Sequence, residues 1–274
     1  MKRFIQILAV SLTVLAFTSC KKSEVVSPLD QVTLSLQETQ SEELLADVDL
    51  IVDEAVDANS SVLKSATITN TMYLTECPAV TINNVVSPKV LTIDFGTTCT
   101  GKDGKIRSGK IIVTSVSFTT FPSVRNKTFE NYMVDGKKIQ GSIVKTIAKD
   151  QVNNIRTATI KENITITFPG TEGTATRVAN LTRQYQRGVI ATPADNKIVS
   201  WGTVDFTRVS GVKITKTVTE AKPLVYSVPC HHIVSGVVTI VTSANGSWSI
   251  DYGNGDCDNV AILTNGDKTK EIKI

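Results

Sequence analysis

The chain has 274 residues, 41% hydrophobic and 20% charged, which supplies enough apolar material for a sizeable core and excludes global disorder. Aromatic residues make up 5%, with two Trp, and the formal net charge is +3; neither a base-stacking surface nor the basic signature of a nucleic-acid binder is present. With 8 Pro and 16 Gly the chain is neither collagen-like nor linker-dominated, so a folded, mostly β protein remains.

Residues 1–19 read as an export signal. Lys2 and Arg3 form a basic start, and Phe4 to Phe17 are apolar apart from Gln6, Ser11 and Thr13. That stretch has the length of a signal-peptide core and is too short for a span of about 20 residues. It ends in Phe17-Thr18-Ser19-Cys20, which resembles a bacterial lipobox with Phe17 where Leu is usual. The resemblance implies cleavage after Ser19 and lipidation of Cys20. The alternative is an ordinary secretory peptide with an incidental cysteine. Several acyl chains at one point hold firmly, since each buried CH₂ contributes about 0.8 kcal/mol. Lys21-Lys22-Ser23-Glu24 has no Asp after the cysteine, which points to the outer membrane, with periplasmic or surface exposure open.

Residues 20–36 lack a clear period and are expected to form a tether. Over 37–60, Leu44, Leu45, Val48, Ile51, Val52, Ala55 and Val56 recur at three- and four-residue steps, the stripe of an amphipathic helix. Ser41 offers a cap near its start, and Asn59-Ser60-Ser61 a stop. Residues 20–58 contain ten acids and two bases, whereas 59–274 contain 25 bases and 16 acids. An acidic arm thus precedes a basic body. Such a helix either packs its apolar face on that body or uses its charges for solubility.

Residues 61–274 switch to two-residue alternation. Ile111 to Phe118, Ile160 to Phe168, Thr203 to Val209 and Val237 to Val241 are rich in β-branched residues. Asp103-Gly104, Asp135-Gly136, Asn245-Gly246 and Asn265-Gly266 are turn signals suited to tight hairpins. No helix-length segment separates the strands, which argues against parallel βαβ units. The expected fold is all-β: an antiparallel meander forming a wide curved sheet, an open barrel or a sandwich, with one N-terminal amphipathic helix.

Two stretches, about 77–105 and 230–267, echo each other. Cys77-Pro78 leads to Ile93-Asp94-Phe95-Gly96 and Cys99; Pro229-Cys230 leads to Ile250-Asp251-Tyr252-Gly253 and Cys257. Apart from Cys20, four cysteines remain in an exported chain, an even number that favours disulfides. Three connectivities are possible, and the local one, Cys77 with Cys99 and Cys230 with Cys257, is expected. A turn centred on Pro88 sets Cys77 and Cys99 directly opposite. A turn at Asn245-Gly246 leaves the second pair out of register, so residues must bulge near Ser235-Gly236.

The remaining chemistry is sparse. His231 and His232 are adjacent, so on a strand they face opposite ways and poorly suit one metal. Asp251, Asn254, Asp256 and Asp258 give a weak calcium candidate by oxygen density, without EF-hand spacing. Turn chemistry explains them more simply. Asp94 and Asp251, each before an aromatic residue and a Gly, suit acceptance of backbone hydrogen bonds better than acid–base work. There is no Gly-x-Ser-x-Gly elbow, no histidine placed for a triad and no phosphate loop. No catalytic residue and no cofactor is expected.

Ile93-Asp-Phe-Gly, the run Cys99-Thr-Gly-Lys-Asp-Gly-Lys-Ile-Arg-Ser-Gly-Lys-Ile, Phe129-Glu-Asn-Tyr-Met-Val-Asp-Gly and Ile250-Asp-Tyr-Gly-Asn-Gly-Asp-Cys-Asp complete a pattern with the lipobox and acidic arm. The whole resembles uncharacterised lipoproteins of Bacteroidota, a group without an assigned activity. The resemblance implies a place in the envelope and no particular task. The expected function is non-catalytic binding of a glycan or envelope protein, with attachment to the membrane by lipid and no nucleic-acid partner. The alternative is a carrier of a lipid or other apolar ligand in a curved sheet. A polar, basic concave face would mark the first, an apolar one the second.

Overall fold

The computed structural model describes residues 28–58, 77–150, 152, 155–170, 173–186, 197–227, 230, 232–244 and 246–274. Residues 1–27, with the signal segment, the start of the tether and Cys20, lie outside the described residues, as do His231 and Asn245. The described part comprises one helix, α1 (Pro28–Ala58), and fifteen strands. The first nine are β1 (Ala79–Asn83), β2 (Lys89–Asp94), β3 (Cys99–Thr100), β4 (Ile106–Ser115), β5 (Ser123–Val134), β6 (Lys137–Asp150), β7 (Ile155–Phe168), β8 (Gly173–Gln186) and β9 (Lys197–Thr207). The rest are β10 (Lys213–Val218), β11 (Leu224–Ser227), β12 (His232–Thr242), β13 (Gly246–Asn254), β14 (Val260–Asn265) and β15 (Lys268–Lys273).

All strands belong to one curved antiparallel sheet that does not close into a barrel. It runs in chain order from edge β1 to edge β15, with β3 beside β4. The one departure is between β9 and β12. There β10 pairs with Gly202–Thr207 and β11 with Lys197–Ser200, so two short strands lie end to end in one column. Edge β15 carries Lys268, Lys270 and Lys273, charges that discourage pairing with another chain.

Alternation decides which side chains turn inward. In β7, Ala158, Ile160, Ile164, Ile166 and Phe168 are buried while Thr159, Lys161 and Asn163 face out. The same holds for Ile111 and Val113 of β4 and for Ile139, Ile143 and Ile147 of β6. These residues meet the α1 stripe: Leu44, Leu45, Val48, Ile51, Val52, Ala55 and Val56 are all buried in the same core. Of the two roles the acidic helix offered, docking on the body is the one observed.

Some local expectations are corrected. The helix begins at Pro28, so residues 28–36 are helical and do not continue the tether. A proline at the first helical position loses no hydrogen bond there and arrives with suitable φ. Ser41 therefore lies within the helix, its hydroxyl donating to the Gln37 carbonyl at 2.7 Å instead of capping an end. Among the turns, Asp135-Gly136 forms the tight link between Val134 and Lys137, both central residues having positive φ (48° and 75°). At the last hairpin Asn265 pairs with Lys268, so the turn centres one residue later, on Gly266-Asp267.

Candidate functional site

Five strands, β4, β5, β6, β8 and β10, place cations on the inner face, and α1 meets each of them with an acid. On a helical projection Asp47 borders the apolar stripe on one side, and Glu42, Asp49 and Asp53 border it on the other. Asp47 receives Arg107 of β4, whose Nη2 donates at 2.9 and 2.8 Å to its two oxygens. Asp103 grips the same guanidinium, accepting at 3.0 and 2.6 Å, so Arg107, 1% exposed, is held from two sides. Lys105 also donates to Asp47, at 3.2 Å.

On the other border, Arg125 of β5 and Lys145 of β6 face each other directly. Like charges opposed across strands repel. Asp53 lies between them, accepting from Arg125 at 2.6 Å and from Lys145 at 3.0 Å. Asp49 likewise accepts from Lys145 at 3.1 Å and from Lys127, which is fully buried. Each of these aspartates neutralises two cations, which is what makes burying lysine tolerable. Burial still lowers Arg125, with Asp53 offsetting part of the effect. Farther along, Arg177 of β8 donates from Nε to Glu162 of β7 at 2.7 Å, both buried.

Beyond this network the inner face changes character. Where β10 gives way to β11, a cavity of about 340 Å³ opens between β8, β9, β12, β13 and the flank of α1. Leu181, Ile198, Val204, Val218, Leu224 and Ile233 form its aliphatic wall, and Tyr185, Trp201, Tyr226 and Tyr252 add aromatic rings. Its polar end gathers Arg177, Arg183 and Lys216 around Glu42 of α1. Arg177 Nη1 lies 3.5 Å and Lys216 Nζ 3.7 Å from Glu42 Oε1. Burial alone raises the Glu42 carboxyl, but Lys216, Arg177 and Arg183 outweigh it and hold it below its ordinary value. Gly202 forms part of the wall with φ of 134°, and a Cβ there would collide with the Asn180 carbonyl of the next strand.

No family model, curated protein or solved structure matches the chain.

The sequence-derived site residues lie elsewhere. Cys77–Cys99 and Cys230–Cys257 are disulfide-bonded with Cα separations of 5.7 and 5.6 Å, the local connectivity. The register reason for the first pair does not hold. Ala79 faces Asp94 and Asn83 faces Val90, so the turn precedes Pro88 and Cys77 would fall opposite Gly96. The chain swings out after Asp94, with Gly96 at φ of 62°, and Cys99 returns on β3 to reach its partner. In the second pair Thr242 faces Gly246, so the turn centres on Ala244 and not on Asn245-Gly246, and the shift between Ser235 and Val237, at the expected place, is of one residue.

The echo is structural. Asp94 accepts the Gly96 amide at 2.9 Å, and Asp251 accepts the Gly253 amide at 2.9 Å. The Gly96 amide, the strongest influence on Asp94, holds that carboxyl below its ordinary value. Asp258 turns to the Val260 amide at 3.1 Å, and Asn254 stands in the ladder opposite Ser235. Asp251, Asn254 and Asp258 thus follow local turn and strand roles, and Asp256 is exposed between β13 and β14. Among the described residues no three His, Cys, Asp or Glu side chains converge as metal ligands, and no helix is long and apolar enough to cross a membrane. The residues that line the cavity and the individual partners of the helix-to-sheet ion pairs are not legible in the sequence.

Proposed function

We propose that this chain is a lipid-anchored protein of the outer membrane that carries an apolar small molecule, without converting it, in the cavity beside α1. The observation that supports this reading is the division of the inner face. The cations of β4, β5 and β6 are engaged by Asp47, Asp49, Asp53 and Asp103, so the basic groups facing the cavity are confined to Arg177, Arg183 and Lys216. The ground between β8 and β13 is walled mainly by aliphatic and aromatic side chains. A partly enclosed apolar cavity with a few convergent polar groups is the usual form of a small-molecule site. Cys20 supplies the anchor, on the strength of the signal segment before it. A glycan is the second reading, favoured by Trp201, Tyr185, Tyr226 and Tyr252, whose rings can stack on sugar faces.

Native mass spectrometry of the protein isolated from its own host separates the two. The carrier reading expects a co-purifying mass that moves into organic solvent on extraction; a sugar-containing mass supports the glycan reading in its place. Anchoring is tested by fatty-acid labelling. Cys20→Ala is expected to lose both the label and membrane retention, and a labelled, retained variant overturns it.

A further inference from the structure

We infer that the cavity takes a single-chain amphiphile with one acidic headgroup, and that Glu42 of α1 is the built-in counter-ion which this headgroup displaces. The inference rests on the cavity being a binding site and adds the charge, the chain number and the contact.

The two carboxylates near Arg177 are held very differently. Glu162 is 5% exposed in its side chain and meets Arg177 at 2.7 Å, a tight structural pair. Glu42 is 43% exposed and meets Arg177 and Lys216 only at 3.5 and 3.7 Å, through the same oxygen. Of the two pairs, the longer and more open one at Glu42 is the one that an entering anion can replace. Another carboxylate or a phosphate monoester entering from the cavity would find Arg177, Arg183 and Lys216 already converged. Glu42 would then turn to solvent, the entering anion replacing it against the same three cations. Three cations against Glu42 and Glu162 leave one positive charge in surplus, which favours an anion over a neutral or cationic ligand.

The apolar half sets the rest. A cavity of about 340 Å³ stands at the low end of the range of about 300–1,000 Å³ for ligand pockets, room for one acyl chain and not for two. Across the strands, Leu181, Gly202 and Val218 form the row next to Ala179, Val204 and Lys216, so the apolar wall adjoins Lys216 and a chain can follow a headgroup held there. Glu42 also lies fourteen residues after Pro28, about 21 Å along α1 from its membrane-proximal start if Cys20 is the anchor.

The test titrates the protein, held in an amphipathic polymer in place of detergent, with dodecanoate and with its uncharged glycerol monoester, read by calorimetry. Dodecanoate is expected to bind with one site and about tenfold more tightly than the ester, the scale of one charge-assisted contact. Glu42→Gln, on an exposed side chain, is expected to tighten dodecanoate several-fold and leave the ester unchanged. Lys216→Gln is expected to bring dodecanoate down to the level of the ester. Equal binding of the two ligands overturns the acidic headgroup while leaving the cavity a binding site. Tighter dodecanoate that is indifferent to Glu42→Gln overturns the counter-ion. If neither ligand binds, the carrier reading falls with it.

Discussion

Lys127 and Lys145 each surrender their water shell to the inner face, and Asp49 answers both. This sharing makes the two sides of the contact unequal. Lys145 keeps Asp53 when Asp49 is removed, whereas Lys127 has no other carboxylate at ion-pair distance among those described. Asp49→Ala is therefore expected to destabilise by about 3–5 kcal/mol, the cost of stranding a buried charge. Lys127→Met leaves Asp49 paired with Lys145 and removes a desolvated ammonium, so it is expected to stay within about 1 kcal/mol of wild type or to exceed it. Urea unfolding of the two variants checks the asymmetry, and equal losses would show that Asp49 does not bridge. These cations were half-legible in the sequence. Ile143-Val144-Lys145-Thr146-Ile147 puts Lys145 on the apolar side by alternation, and Glu162 falls between Ile160 and Ile164 in the same way. Their partners were not legible, because the Asp53–Arg125 and Asp49–Lys145 contacts join residues 72 and 96 positions apart.

At the scale of elements, α1 shows what periodicity does and does not reveal. Its stripe from Leu44 to Val56 stands out because it is the face that the sheet buries. Its first turns do not, since Leu29, Val32 and Leu36 fall off that stripe and Pro28 reads as easily as a break as a start. The hairpins divide similarly: Asp135-Gly136 fixes its own register through backbone conformation, while the longer turn before Pro88 offers no such rule. Neighbours within α1 supply their own control. Ile51 is 0% exposed and Leu50 is 46% exposed, so Ile51→Ala is expected to cost about 2–5 kcal/mol and Leu50→Ala less than about 0.5 kcal/mol, as thermal unfolding will measure. Docking also carries a pH signature. The folded Glu42 carboxyl titrates below its ordinary value of 4.5. Its contribution is therefore complete above that value and is lost as pH falls through the lower, folded one. Glu42→Gln is expected to flatten the acid side of the stability curve below about pH 4.5. An unchanged slope would show that the three cations do not act on this carboxyl.

For the whole molecule, the two disulfides sit toward opposite ends of one sheet, and this bears on how the sheet holds together. Cys77–Cys99 lies beside β1 and β3, and Cys230–Cys257 lies beside β12 and β14, with most of the strand order between them. They close separate loops, 22 and 27 residues apart in sequence. By restricting the unfolded chain, each is expected to contribute about 3 kcal/mol. Because the loops do not overlap, the unfolded-state terms are independent, so any departure from additivity must come from the native sheet. A meander joined only by neighbour-to-neighbour ladders transmits little strain over that distance. The losses from Cys77→Ala/Cys99→Ala and Cys230→Ala/Cys257→Ala are then expected to add, within about 0.5 kcal/mol, to the loss in the fourfold variant. Urea midpoints of the three proteins give the answer. A fourfold loss well short of the sum would mean that the first break already loosens the far end, through the one element that crosses several strands, the ion-paired helix α1.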